Sequence, residues 1–123
     1  MSVRRRLVIG NWKMNGSKAE NQQLLSDLVK LQNAENTAAA NKAELAVCAP
    51  FPYLQQVADI LKDSTISWGG QDASEHAKGA YTGEVSVAML AEFGCAWVIV
   101  GHSERRAYHG EGSDVVARKA AAA

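Results

Sequence analysis

Four short apolar runs, spaced by stretches with helical periodicity, restrict what this chain can fold into more than any other feature. They are Leu7-Val8-Ile9, Leu45-Ala46-Val47-Cys48, Thr65-Ile66-Ser67-Trp68 and Trp97-Val98-Ile99-Val100-Gly101. Each has the length and composition of a β-strand. Three are apolar nearly throughout, as expected of strands covered on both faces in a parallel sheet flanked by helices; residues 65–68 alternate more.

The intervening segments read as helices. Over 17–31, Leu24, Leu25, Leu28 and Leu31 recur at three- and four-residue spacing while Lys18, Glu20, Gln23 and Asp27 take the other face, with Ser17 as N-cap. Residues 53–62 repeat the pattern through Leu54, Val57, Ala58 and Leu61, and Pro52 suits the first turn. A third helix over 87–93 stops at Gly94, a C′ glycine. A further one starts near Asp114 and runs to Ala123. The order is a βα repeat, which builds either an open doubly wound sheet or a closed (β/α)8 barrel; pattern alone does not choose. No glycine-rich nucleotide loop follows the first strand, where Gly10-Asn11-Trp12-Lys13 stands instead. The final helix, ending in four alanines, should lead to a further strand, so the expectation is a truncated architecture; the alternative is a complete small four-stranded domain.

The 123 residues allow one domain, residues 1–123. Thirteen Lys and Arg balance thirteen Asp and Glu, so no net positive field draws nucleic acid or an anionic membrane. Arg4-Arg5-Arg6 reads as solvated flank. Cys48 and Cys95 sit in apolar runs and read as reduced thiols rather than a disulfide framework, and their spacing suggests no metal site. With no stretch of signal-peptide or membrane-span character, the expected location is the cytoplasm.

Two segments carry candidate chemistry. In Gly10-Asn11-Trp12-Lys13-Met14-Asn15, a carboxamide and an ammonium stand two positions apart at a strand tip. A lysine there can neutralise a phosphate or a developing enolate, or simply face solvent. In Val98-Ile99-Val100-Gly101-His102-Ser103-Glu104-Arg105-Arg106, a histidine closes a strand and a helix opens after it. A helix N-terminus disfavours the imidazolium, so His102 can polarise a carbonyl through its N–H; a structural hydrogen-bonded histidine is the other reading. His76 and His109 read as solvent residues.

With Gly69-Gly70-Gln71-Asp72 and Gly79-Ala80-Tyr81-Thr82-Gly83-Glu84, these segments resemble the motifs of the triosephosphate isomerase family in order and spacing, over about residues 6–119. The resemblance implies the N-terminal half of a TIM (β/α)8 barrel, about four parallel βα units. It implies interconversion of dihydroxyacetone phosphate and D-glyceraldehyde 3-phosphate, in glycolysis and gluconeogenesis, with neither cofactor nor metal. It assigns Lys13 to the charge of the substrate phosphate and the enediolate, His102 to carbonyl polarisation and proton shuttling, and Asn11 to substrate orientation. Glu104 would hold Lys13, and Ser103 would neighbour the base. Loop 72–84 would dock into the partner of a homodimer, Thr82 near the neighbouring copy's Asn11 and Glu84 facing Arg105 across the interface.

Departures accompany the match. Gly110-Glu111-Gly112-Ser113-Asp114 has an additional glycine where the family reads Glu-Ser-Asp directly, and nothing resembles the family's base-bearing Y-E-P-V-W segment, lid or late phosphate site. The expectation is therefore a fragment that is inactive alone and that self-associates or pairs with a complementing half. A non-catalytic half-barrel binding or scaffold module is the main alternative, and a different sugar-phosphate enzyme on a small α/β fold the remaining one.

Overall fold

The computed structural model describes residues 4–35 and 43–123. Its sheet has four parallel strands in sequence order: β1 (Leu7–Asn11), β2 (Glu44–Cys48), β3 (Ser67–Gly70) and β4 (Trp97–Val98). Helices α1 (Lys18–Glu35), α2 (Leu54–Leu61) and α3 (Val87–Glu92) make the crossovers, and α4 (Ser103–His109) and α5 (Ser113–Ala122) follow β4. Parallel neighbours joined by helices in strict sequence order are the βα repeat read from the sequence. No described helix is long and apolar enough to cross a membrane.

The core lies between the sheet and the crossover helices. Leu25 of α1, Val47 of β2, Leu54, Val57 and Leu61 of α2, Leu90 of α3, and Ile66 just before β3 belong to one buried cluster. On α2 the buried set matches the periodic leucines and valine, and Pro52 falls in a 3₁₀ turn, Phe51–Tyr53, that leads into the helix. On α1 the burial is narrower than expected: Leu25 is fully buried, whereas Leu24 and Leu31 are exposed. Ser17 caps α1, its hydroxyl accepting the Glu20 N–H at 3.2 Å. The end of α3 is as expected, with Gly94 in the left-handed region at φ 76°.

Three strands differ from the sequence expectation, β4 among them: it covers only Trp97–Val98 of the expected 97–101 and is half-buried, lying at the other edge of the sheet. Two-sided cover is found at β2, where Ala46, Val47 and Cys48 are buried, but Leu7, Val8 and Ile9 of β1 are exposed. The reason is position: β1 is an edge strand, hydrogen-bonded to β2 alone. Strand β3 lies two residues further on than expected, because pairing continues past Trp68 through Gly69 and Gly70. Gly69 belongs to a strand because it lacks a side chain: a Cβ there would collide with the backbone carbonyl of Trp97 on β4. The register places the C-terminal tips of β1, β2 and β3 level, with Asn11 opposite Cys48 and Cys48 opposite Gly69. Both cysteines are free thiols. Burial, and then the neighbouring Cys95, push the Cys48 thiol up to about 11, so it stays protonated at neutral pH.

Candidate active site

The segments after β1, β3 and β4 converge at the C-terminal edge of the sheet, the end at which parallel βα architectures assemble their sites. They enclose an open cavity of about 280 Å³ lined by Asn11, Lys13, Gln71, His102, Glu104 and His109, among others. Residues as far apart in sequence as Asn11 and His109 thus face one space.

The first wall comes from the turn after β1. Asn11 is the last residue of that strand, and its Oδ1 accepts the backbone N–H of Lys13 at 2.9 Å. This contact bends the chain so that Lys13 takes φ 56°, the one left-handed non-glycine residue described. A lysine in that region is strained by roughly 1–3 kcal/mol, and such residues persist where surrounding contacts over-determine them. The side chain then reaches Glu104, with Nζ to Oε1 at 2.8 Å. The hydrogen bond from Lys13, and secondarily its charge, outweigh partial desolvation and hold the Glu104 carboxyl below the usual carboxylate range; the same pair raises the Lys13 ammonium.

The second wall is the junction of β4 and α4. His102 occupies the N-cap of α4, and its Nδ1 accepts the Glu104 N–H at 3.2 Å. An Nδ1 that accepts leaves the proton of the neutral ring on Nε2, so the imidazole can offer an N–H to an oxygen in the cavity. Glu104 thus serves both walls, its backbone orienting His102 and its carboxylate anchoring Lys13.

The remaining expected residues are distributed differently. Ser103 opens α4 and is exposed, outside the cavity lining. Thr82 and Glu84 are exposed in the loop before α3 and do not line it either. Arg105 faces inward within this chain, pairing with Asp72 at 3.2 Å and Glu111 at 2.7 Å. His109 is exposed, as expected, yet it lines the same cavity as His102.

A charged network that reaches the cavity through Asp72 and Arg105 escaped the sequence reading. Lys119 of α5, its side chain only 8% exposed, bonds Asp72 at 2.9 Å and Glu111 at 2.7 Å, and Arg105 bonds the same two carboxylates. Burial pushes the Glu111 carboxyl up, but hydrogen bonds from Lys119 and Arg105, with their charges, outweigh it and leave it lowered. Burial pushes Lys119 down, but its bonds to Glu111 and Asp72 outweigh that and leave it raised. A lowered carboxyl contributes stability that is complete above the ordinary glutamate value and is lost as pH falls through the folded value. A raised ammonium contributes stability that is complete below the ordinary lysine value and is lost as pH rises through the folded one. Lys119→Met removes one of the two cations and leaves Arg105 alone to hold both carboxylates, so it should cost about 1–3 kcal/mol, a sizeable part of the roughly 5–15 kcal/mol typical of a domain. Urea unfolding at neutral pH measures this, and the difference between wild type and variant should shrink in acid.

A model of the triosephosphate isomerase family matches residues 6–123. The chain belongs to that family. It is similar to the triosephosphate isomerase of Bordetella pertussis, 58% identical over 120 residues that make up 98% of this chain and 46% of the relative. The same-named protein of Herminiimonas arsenicoxydans is 57% identical over 117 residues, 95% of this chain and 45% of the relative. That of Cupriavidus necator is 56% identical over 118 residues, 96% and 45% respectively. The chain spans about half the length of the curated relatives it matches. Family membership and the four-stranded parallel sheet together identify the fold as the N-terminal half of a TIM barrel.

Proposed function

We propose that these residues form the electrophilic half of a triosephosphate isomerase site, acting on dihydroxyacetone phosphate and D-glyceraldehyde 3-phosphate. The observation that carries the reading is the shared cavity: the Lys13 ammonium and the His102 imidazole, from opposite ends of the sheet order, line one space of about 280 Å³. Isomerisation removes a proton from the carbon beside the carbonyl, and charge collects on the carbonyl oxygen as an enediolate forms. Hydrogen bonds and cations preset around that oxygen lower the barrier. Nε2–H of His102 donates to the oxygen, Lys13 supplies positive charge to it and to the phosphate, and Asn11 orients the substrate. The proton is then returned to the adjacent carbon.

The base that takes the first proton is a carboxylate outside these residues. Two carboxylates line the cavity, Asp72 and Glu104. Glu104 is bound to Lys13, and Asp72 to Arg105 and Lys119. A carboxylate whose lone pairs are engaged by cations is poorly placed to take a proton from carbon. The experiment joins residues 1–123 to the part of the Bordetella pertussis relative that they do not match, and assays triose phosphate interconversion; a folded fusion without activity refutes the reading.

The same reading takes the active form as a cytoplasmic homodimer. Loop 72–84 is tied at its base by the Ser74 N–H to the Val85 carbonyl at 2.8 Å, stiffened by the stacked rings of His76 and Tyr81, and exposes Thr82 and Glu84. Such a loop is suited to insertion beside Asn11 and Arg105 of a second copy. Residues 1–123 alone leave Leu7, Val8 and Ile9 exposed on an edge strand, which favours association. Sedimentation at micromolar concentration should show dimers or larger species; a single monomeric boundary contradicts this.

A further inference from the structure

Gln71 has no part in the reading above, yet its side chain makes more contacts at the sheet tips than any residue that has. Half-buried just beyond β3, its Nε2 donates to the Lys13 carbonyl at 2.8 Å, the Cys48 carbonyl at 3.1 Å and the Asn11 Oδ1 at 3.2 Å. Two N–H bonds shared among three acceptors fasten the ends of β1 and β2 and the turn after β1 to the end of β3.

The backbone around Lys13 shows why one of these bonds matters most. The conformation of Lys13 is the relative rotation of two peptide planes. The plane before it is held locally, with the Lys13 N–H on Asn11 Oδ1 and the Trp12 carbonyl accepting from Asn15 Nδ2 at 2.9 Å. The plane after it is held through the Lys13 carbonyl, and the donor is Gln71. We propose that Gln71 is the positioning residue for Lys13: its carboxamide holds the lysine in the left-handed conformation from which the ammonium meets Glu104 and faces the cavity. The purpose of this holding rests on the isomerase reading; the holding itself does not.

The test uses the 123-residue chain and no substrate. Glu104 reports the position of the ammonium, because its carboxyl is lowered chiefly by the hydrogen bond from Lys13. In carbon-detected NMR, Gln71→Met, which keeps the side-chain length and removes both donors, should move the Glu104 titration midpoint up toward the ordinary glutamate value. Gln56→Met is the control: it removes bonds between α1 and α2, from Gln56 Nε2 to the Lys18 carbonyl at 2.7 Å and from Asn21 Nδ2 to Gln56 Oε1 at 3.1 Å. It should lower the melting temperature and leave the Glu104 midpoint in place. A folded Gln71→Met chain with an unchanged midpoint overturns the proposal. Should that variant not fold, the wild-type chain decides: the Gln71 side-chain amide protons should exchange at least about tenfold more slowly than those of a free glutamine, and exchange at the free rate overturns the proposal. An inactive fusion with a shifted Glu104 midpoint would sink the isomerase reading and leave the positioning role standing.

Discussion

The polypeptide of residues 1–123 should show no measurable interconversion of triose phosphates, while its fusion to the unmatched part of the Bordetella pertussis relative should turn over at enzymatic rates. The difference is the largest expected of this protein, because enzymes typically exceed the uncatalysed reaction by at least about a millionfold. It follows from the state of the carboxylates. Proton abstraction needs a carboxylate with an open lone pair directed at the substrate carbon, and both that line the cavity are ion-paired, Glu104 to Lys13 and Asp72 to Arg105 and Lys119. On the proposed reading, what the 123 residues supply stabilises charge after the proton has left. A coupled spectrophotometric assay of purified chain and fusion measures both; turnover by the chain alone within about a hundredfold of the fusion would mean that one of these paired carboxylates is the base.

In the fusion, Lys13→Met should lower kcat/KM by about a hundred- to a thousandfold or more, the scale on which removal of one preset charge-stabilising group acts. Methionine keeps the apolar stem and deletes the ammonium, so the loss reads charge rather than packing. Both kcat and KM should change, since the same group faces ground-state phosphate and the oxygen that becomes charged. Glu104, freed of its partner, should titrate closer to an ordinary glutamate, because the Lys13 hydrogen bond is the leading cause of its lowered carboxyl. A fusion carrying Lys13→Met with unimpaired kcat/KM would remove the lysine from the chemistry.

How far the sequence carried differs from element to element. The βα order was legible because Leu7-Val8-Ile9 and Leu45-Ala46-Val47-Cys48 are dense in strand-forming residues, and Leu54, Val57 and Leu61 repeat at helical spacing. These are local signals, and local signals survive folding. The place of Asn11, Lys13 and His102 at the sheet tips was legible for a related reason, since polar residues follow apolar strand runs there, whereas the pairing of Glu104 with Lys13 was implied only by the family resemblance.

What depended on tertiary contact was not legible. The extension of β3 into Gly69 and Gly70 reflects the approach of the Trp97 carbonyl, which no pattern in residues 65–72 announces. Asp72, Glu111 and Lys119 each look like ordinary surface charges, and only the folded chain brings them together with Arg105. The exposure of Leu24 and Leu31 follows the same logic: periodicity shows which residues share a helix face, while the width of the neighbouring surface determines how much of that face is covered. Gln71 stood in a quoted motif without a role, although its place just past a strand, like that of Lys13, was a usable signal.

The measurement that bears most directly on the shared cavity is a crystal structure of the active fusion with dihydroxyacetone phosphate bound. Lys13 Nζ and His102 Nε2 should both lie about 2.7–3.2 Å from oxygen atoms of the same substrate molecule, the imidazole on the carbonyl oxygen. A substrate bound elsewhere, or touched by only one of these two groups, would contradict it.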